Sequence, residues 1–397
     1  MLVVSVLVVL PVGRGAELPL LLGAIAGLVL LIGRRLDFDQ PALRLGVLLF
    51  ACYWLPILIS APMAVAPGKA WSTAATALRF LPFLAFAAWA LRDARGWPAC
   101  RGAVAVVVLL WVLDAWVQMA TGYSLGGAAE AERISGIFGA DNLKLGPVLA
   151  VLSPFLLLAA RERGGRVGLG VAMFLMTGPI LLAGSRAAWI SYALVCVLVG
   201  WREARNARRF AVALLLSGLV VGAFAAVALK DSTRFNARLD RSLLALDGTE
   251  QSLDEASAGR VRIWRAALGM TAAHPLTGVG VRGFRYAYPE FAAPGDPFVD
   301  AQAGTGAAHA HQIVLEVLSE TGLVGLAFWL AGAWLAWRAW RRADAAARER
   351  ARAPALALLA MCFPLNTHLA FYSAWWGLLF WWLLALYCAA LGARRNP

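Results

Sequence analysis

The sequence predicts an all-α polytopic membrane protein with about twelve transmembrane helices and one long, mostly helical loop on its outer side. Three observations carry this. Of the 397 residues, 61% are hydrophobic and 15% charged, with mean hydropathy +0.70; a soluble domain is typically about half apolar and a quarter charged. Apolar runs recur along the whole chain, near the roughly 20 residues a helix needs to cross a bilayer. The connections between them alternate between arginine-rich and arginine-poor.

In order, the apolar segments fall at about 1–13, 17–33, 45–62, 71–91, 102–121, 146–160, 167–183, 187–201, 210–229, 312–337, 354–370 and 371–391. The first, opening MLVVSVLVVL, lacks the basic start of a signal peptide and is read as a short first span, although it falls below the usual crossing length. One set of connections (RRLDFDQPALR, RDARGWPACR, RERGGR, REARNARR, RAWRRADAAARERAR and the terminal RR) holds 21 of the 36 Lys and Arg; the other holds 14, nine of them in one long loop. Short basic connections mark the cytoplasmic side. Both termini are therefore expected in the cytoplasm, and the long loop outside. The chain divides into membrane helices over 1–229, an outer loop over 230–311, and three further helices with a tail over 312–397.

A net charge of +13 is explained by these cytoplasmic connections and by contact with anionic lipid; no nucleic-acid partner is expected. Several of the 17 Trp flank the apolar runs (Trp71, Trp97, Trp201, Trp337, Trp340), as interfacial belts do. The five cysteines form no CxxC pair and read as packing residues.

The outer loop balances nine basic against nine acidic residues, so an anion there would be bound by placement and not by bulk charge. Its stretch 252–270, SLDEASAGRVRIWRAALGM, reads as one helix capped by Asp254 or Ser257. On that helix Arg260 and Trp264 share one face, while Arg262 and Arg265 share another. HPLTGVGVRGF then reads as a helix stop and a glycine-rich turn, either an ordinary loop or a close approach to a ligand.

Three further places attract chemistry. Arg186, after Gly184 and Ser185, lies just outside an apolar run on the outer side, and is either an interfacial arginine or a guanidinium fork for a diphosphate, with Ser185 as an added donor. Arg79 lies inside a span, where a charge is costly, and is either functional or paired with an acid such as Asp114. His309 and His311 stand at the entrance to the helix at 312; on a helix they would point about 200° apart, so one of them is the better candidate for a general base than the pair is for a metal. Glu316 and Glu320 follow and are placed to orient it. The Asp37–Asp39 pair reads as a solvated loop. No Walker A, HExxH or GxSxG pattern occurs, and neither cofactor nor metal is expected.

HQIVLEVLSETGLVG resembles the H-N-x-x-L-x-x-x-x-E-x-G-x-x-G signature of the O-antigen ligase and polymerase superfamily through His311, Leu315, Glu320, Gly322 and Gly325, with Gln312 replacing the usual Asn. GRVRIWRAALGMTAAHPLTGVGVRGF is similar to a second family block through Arg260, Trp264, Pro275, Gly278, Gly280 and Phe284, and GSRAAW to a third through Arg186. The first 180 residues match only in hydropathy. The resemblance implies a bacterial inner-membrane enzyme working on the periplasmic face, whose donor is an undecaprenyl-diphosphate-linked glycan. A ligase moves the O-antigen to a lipid A–core sugar, a polymerase to another lipid-linked unit, and a third branch to pilin. It implies Arg186, Arg260 and His311 as catalytic residues, with Arg262, Arg265, Ser185, Trp264, Glu320 and His309 around the substrate. A lipid or glycan transporter is the reading from a different class, kept open by Arg79.

Overall fold

A computed structural model describes residues 1–36, 40–93, 96–130, 133–140, 142–204, 206, 208, 211, 218–219, 222, 243–367 and 370–393. Most of the segment at 210–229, the first part of the long loop, Asp37 and Asp39, and the terminal arginines lie outside the described residues. The helices, in order, are α1 (Leu2–Val8), α2 (Glu17–Ile32), α3 (Pro41–Ser60), α4 (Pro67–Ala77), α5 (Phe80–Ala90), α6 (Gly96–Thr121), α7 (Leu145–Leu182), α8 (Arg186–Ala204), α9 (Glu250–Ala256), α10 (Arg260–Ala273), α11 (Phe284–Phe291), α12 (Ile313–Arg342), α13 (Ala345–Cys362) and α14 (Ala374–Gly392). A two-residue β-hairpin, Tyr123–Ser124 with Gly127–Ala128, is the only sheet among the described residues.

Seven of these stretches are long and apolar enough to cross a membrane: Pro41–Met63, Pro67–Ala90, Gly96–Thr121, Leu145–Leu182, Arg186–Ala204, Ile313–Arg342 and Ala374–Gly392. The protein is thus an all-α polytopic membrane protein. α7 is in fact two legs. The chain breaks at Gly165 (φ 60°, ψ −146°). Gly146 then packs beside Ala183 and Gly168 beside Ala160, so the legs run antiparallel, with RERGGR at their turn.

The sequence reading needs three corrections here. α1 has seven residues and rises about 10 Å, a third of the hydrocarbon core; instead of crossing, it buries Val3, Val6 and Leu7 in the bundle and accepts at its Val3 carbonyl the Trp382 Nε1 hydrogen at 2.7 Å. The basic connection 338–352 is mostly helix, because Ala, Arg and Glu are strong helix formers: α12 runs on to Arg342, and α13 starts at Ala345 behind Asp344, whose carboxylate accepts from Ala347 N–H at 2.7 Å. Arg79 pairs with Glu17 at 3.0 Å rather than with Asp114, which accepts instead from Leu125 N–H at 2.8 Å. The α4–α5 break places Arg79 at the start of α5, within reach of the first turn of α2.

Two apolar cores result. The large one surrounds α14, whose apolar residues face inward on all sides, as a central helix's must. The small one lies among α10, α11 and the chain before α12, with Ile263, Met270, Phe284, Tyr288 and Ala310 buried together. That second core gives the described part of the long loop, from residue 260 on, a fixed shape.

Candidate active site

The site begins with a helix that is interrupted. α12 breaks at Gly322 (φ 66°, ψ −164°), which frees backbone donors that a buried helix must satisfy. The glycine-rich turn supplies the acceptors: Leu323 N–H donates to the Pro275 carbonyl at 2.8 Å and Val324 N–H to that of Leu276 at 3.2 Å. In return Val279 N–H donates to the Ser319 carbonyl at 2.8 Å, and Arg282 N–H to Glu320 Oε2 at 2.8 Å. A Cβ on Gly278 (φ 62°) would lie 2.5 Å from the Ser319 carbonyl oxygen, and one on Gly322 would enter the Leu276 backbone. Gly278 therefore serves close packing against α12, and Gly280 (φ 87°), where a Cβ would meet Ala64, serves packing against the chain after α3. The residues Pro275, Gly278, Glu320 and Gly322 are one interlocked joint between the long loop and α12.

The joint fixes the entrance to α12. The Gln312 side-chain oxygen caps that helix, accepting from Leu315 N–H at 2.6 Å; any side-chain amide of suitable reach does this, which explains Gln where an Asn was expected. Just before it the two histidines are not helical, and their rings face each other with centroids 3.9 Å apart. His311 takes φ 54°, an uncommon conformation for a residue with a Cβ and a cost that the surroundings must hold in place. Its N–H donates to His309 Nδ1 at 3.2 Å, and Trp264 Nε1–H to the Ala310 carbonyl at 3.1 Å.

His311 Nδ1 lies 3.1 Å from the Thr367 carbonyl. A carbonyl only accepts, so Nδ1 carries the hydrogen and the Nε2 lone pair is open for a proton. Burial, aided by the nearby Arg260 charge, pushes the imidazole down to about 4, although the Thr367 hydrogen bond acts the other way. The ring is therefore neutral at neutral pH.

Arg260 and Arg186 are each the first residue of a helix, α10 and α8, and neither helix has an acid in its first turn. A cation there opposes the helix dipole at about 0.3–1 kcal/mol each. The two guanidiniums also feel each other: burial first, then Arg186, lowers the proton affinity of Arg260. Arg186 Nη1 is held by the Ala256 carbonyl at the end of α9, and Arg260 Nη1 by Ser257 at 3.4 Å. Ser185 immediately precedes α8, its hydroxyl accepting from Ala188 N–H at 3.4 Å. Two arginines, two helix N-termini and a neutral histidine thus converge, an arrangement well suited to an anion.

The helix read over 252–270 is two helices, broken at Ala258 (φ 59°) and Gly259 (φ 80°). Thr249 caps the first; Asp254 accepts from Arg262 N–H at 3.1 Å in the second, and Ser257 caps neither. The break turns Arg260 towards Arg186. Asp254 also grips the Arg262 guanidinium through Nε at 2.6 Å and through Nη2. Arg262 and Arg265 line a separate cleft of about 380 Å³ with Ala293 and Asp296. The two faces expected of this helix are therefore real: Arg260 and Trp264 turn to His311, Arg262 and Arg265 away from it.

Glu320 is 1% exposed and holds the joint. Glu316 accepts from Tyr372 N–H at 3.2 Å, and its other oxygen stands 3.9 Å from His309 Nδ1. Sequence reasoning missed Thr367 and gave Asp254 only as a candidate cap, not as the partner of the Arg262 guanidinium. Thr367 acts through its backbone carbonyl 56 residues away, which leaves no signal in the side chain.

Residues 171–330 match the family model described as Wzy_C, O-Antigen ligase. Arg186, Arg260 and His311 all fall within them. No curated protein matches the chain.

Proposed function

We propose, on the premise of the match of residues 171–330 to the O-Antigen ligase family model, that the protein is a glycosyltransferase of lipopolysaccharide biosynthesis. It transfers O-antigen polysaccharide from undecaprenyl diphosphate to a sugar hydroxyl of lipid A–core on the periplasmic face of the inner membrane. The carrying observation is the convergence of Arg186 and Arg260 on a neutral His311 whose Nε2 is unprotonated.

The arginines hold the donor diphosphate, and no metal is required for that charge. The acceptor hydroxyl gives its proton to His311 Nε2, and its oxygen bonds to the anomeric carbon from the face opposite the diphosphate. The bond between that carbon and the diphosphate oxygen breaks with its electron pair going to the diphosphate. The anomeric centre inverts. A low proton affinity before the donor binds suits this sequence. The arriving diphosphate offsets the Arg260 charge and raises the affinity of His311 when a base is needed. Transport loses its main support, because Arg79 is occupied by Glu17.

The test is purified protein incubated with undecaprenyl-diphosphate glycan and lipid A–core. Glycan on the core supports the proposal; elongation on the lipid makes the protein a polymerase; neither product removes the enzymatic reading. His311→Ala at wild-type protein level is expected to abolish transfer, and full transfer by that variant would end the base assignment.

A further inference from the structure

A second cavity, of about 660 Å³, lies among α3, α12, α13 and α14, with Arg202 of α8 at its edge. Its volume is that of an ordinary small-ligand site, and its wall is apolar along α12 from Gly325 to Trp340, a rise of about 22 Å. The hydrocarbon of one leaflet is about 15 Å, so an acyl chain fits lengthwise. The arginine end of the cavity, at Arg202 and Arg352, is remote from His311 by two independent paths: Arg202 ends the helix that Arg186 begins, and Trp340 ends the helix that follows His311.

Arg352 is 7% exposed, and its Nη2 is buried without a hydrogen-bond partner. Its Nη1 lies 3.5 Å from Glu349 Oε1, while Glu349 Oε2 is taken by Arg202 at 2.7 Å. The other acid near Arg352, Glu203, is held by Arg161 at 2.6 Å, so three guanidiniums are set against two carboxylates, which leaves positive charge at the polar end of an otherwise apolar cavity. A buried arginine with an open donor calls for an anion.

We propose that this cavity binds an anionic phospholipid of the leaflet opposite His311, with one acyl chain along α12 and the phosphate on Arg352 and Arg202. Basic sites between membrane helices select such headgroups. The polyprenyl donor is a poorer occupant, since its diphosphate would enter from the Arg186 side and its tail would meet the apolar end, leaving Arg352 unanswered.

The experiment is native mass spectrometry of the delipidated full-length protein with added phosphatidylglycerol or phosphatidylcholine. Expected are one phosphatidylglycerol per chain, held about tenfold more tightly than phosphatidylcholine, a fall to the phosphatidylcholine level in Arg352→Gln, loss of both lipids in Ala355→Phe, which fills the cavity, and no change in His311→Ala. Equal binding of the two lipids, an unaffected Arg352→Gln, or displacement of phosphatidylglycerol by undecaprenyl diphosphate overturns the proposal. If Arg352→Gln fails to fold, the wild-type preference and Ala355→Phe decide it. The binding readout is independent of glycan transfer.

Discussion

The Trp264 indole donates its Nε1 hydrogen to the Ala310 carbonyl at 3.1 Å, so the helix that begins with Arg260 also holds the residue before His311. One side chain ties the anion-binding end of α10 to the histidine loop. Trp264→Phe keeps most of the packing and removes the bond, worth about 0.5–1.5 kcal/mol. The expected result is normal protein level with glycan transfer lowered about tenfold, seen in kcat, since the loop's position is lost and not the donor contacts.

The two faces of α10 predict opposite outcomes for neighbouring arginines. Arg260→Gln removes half of the paired guanidinium site, and transfer is expected to fall at least 100-fold, with Arg186→Gln alike. Arg262→Gln breaks its grip on Asp254 and is expected to lower thermal stability modestly, by about 1 kcal/mol, while retaining transfer. Assays of the three variants in reconstituted membranes check this; a dead Arg262→Gln with unchanged stability would move the donor site to the other cleft.

His311 predicts the acid limb of the pH profile. Burial and the Arg260 charge hold its imidazole near 4, so transfer is expected to be level through neutral pH in the histidine's own titration and to fall only as pH drops towards 4, when Nε2 becomes protonated. Removing the Arg260 charge takes away a lowering influence, so the histidine titrates higher. The residual activity of Arg260→Gln should therefore lose its acid limb at a higher pH than the wild type does. The kcat/KM profiles of both proteins, measured from pH 4 to 8, test the sign.

The joint between the turn and α12 predicts stability effects remote from chemistry. Gly322→Ala and Gly278→Ala each place a Cβ against backbone in a left-handed conformation. Each is expected to cost about 1–3 kcal/mol or more, read as a lower unfolding temperature in detergent. Gly295→Ala, also at positive φ (77°) but with nothing within 4 Å of its Cβ, should cost less, and thereby separates collision from backbone strain.

The membrane class, most of the helices and the three blocks were legible in the sequence because each rests on local information. Apolar length marks a span, and Arg186, Arg260 and His311 lie in short recognisable patterns. Periodicity alone also separated the two faces of α10. What misled was local too. The residues 252–270 have helix-forming composition throughout, yet Ala258 and Gly259 break them, because Asp254 reaches forward to Arg262. The basic run before α13 looked like a loop, although arginine favours helix wherever its charge can reach water.

By itself, then, the sequence determined that the chain is built for a membrane and which residue types stand ready for an anion and a proton, since hydropathy, charge and side-chain chemistry are properties of each residue. Only the tertiary structure decided which hydrogen His311 carries, because that depends on the Thr367 carbonyl 56 residues away. It also decided that Arg79 answers Glu17, and that Gly278 and Gly322, in two separate stretches, let a turn seat in the break of a helix. Backbone acceptors and steric clearances have no side-chain signature, so contacts made through them become visible only when distant segments are brought together.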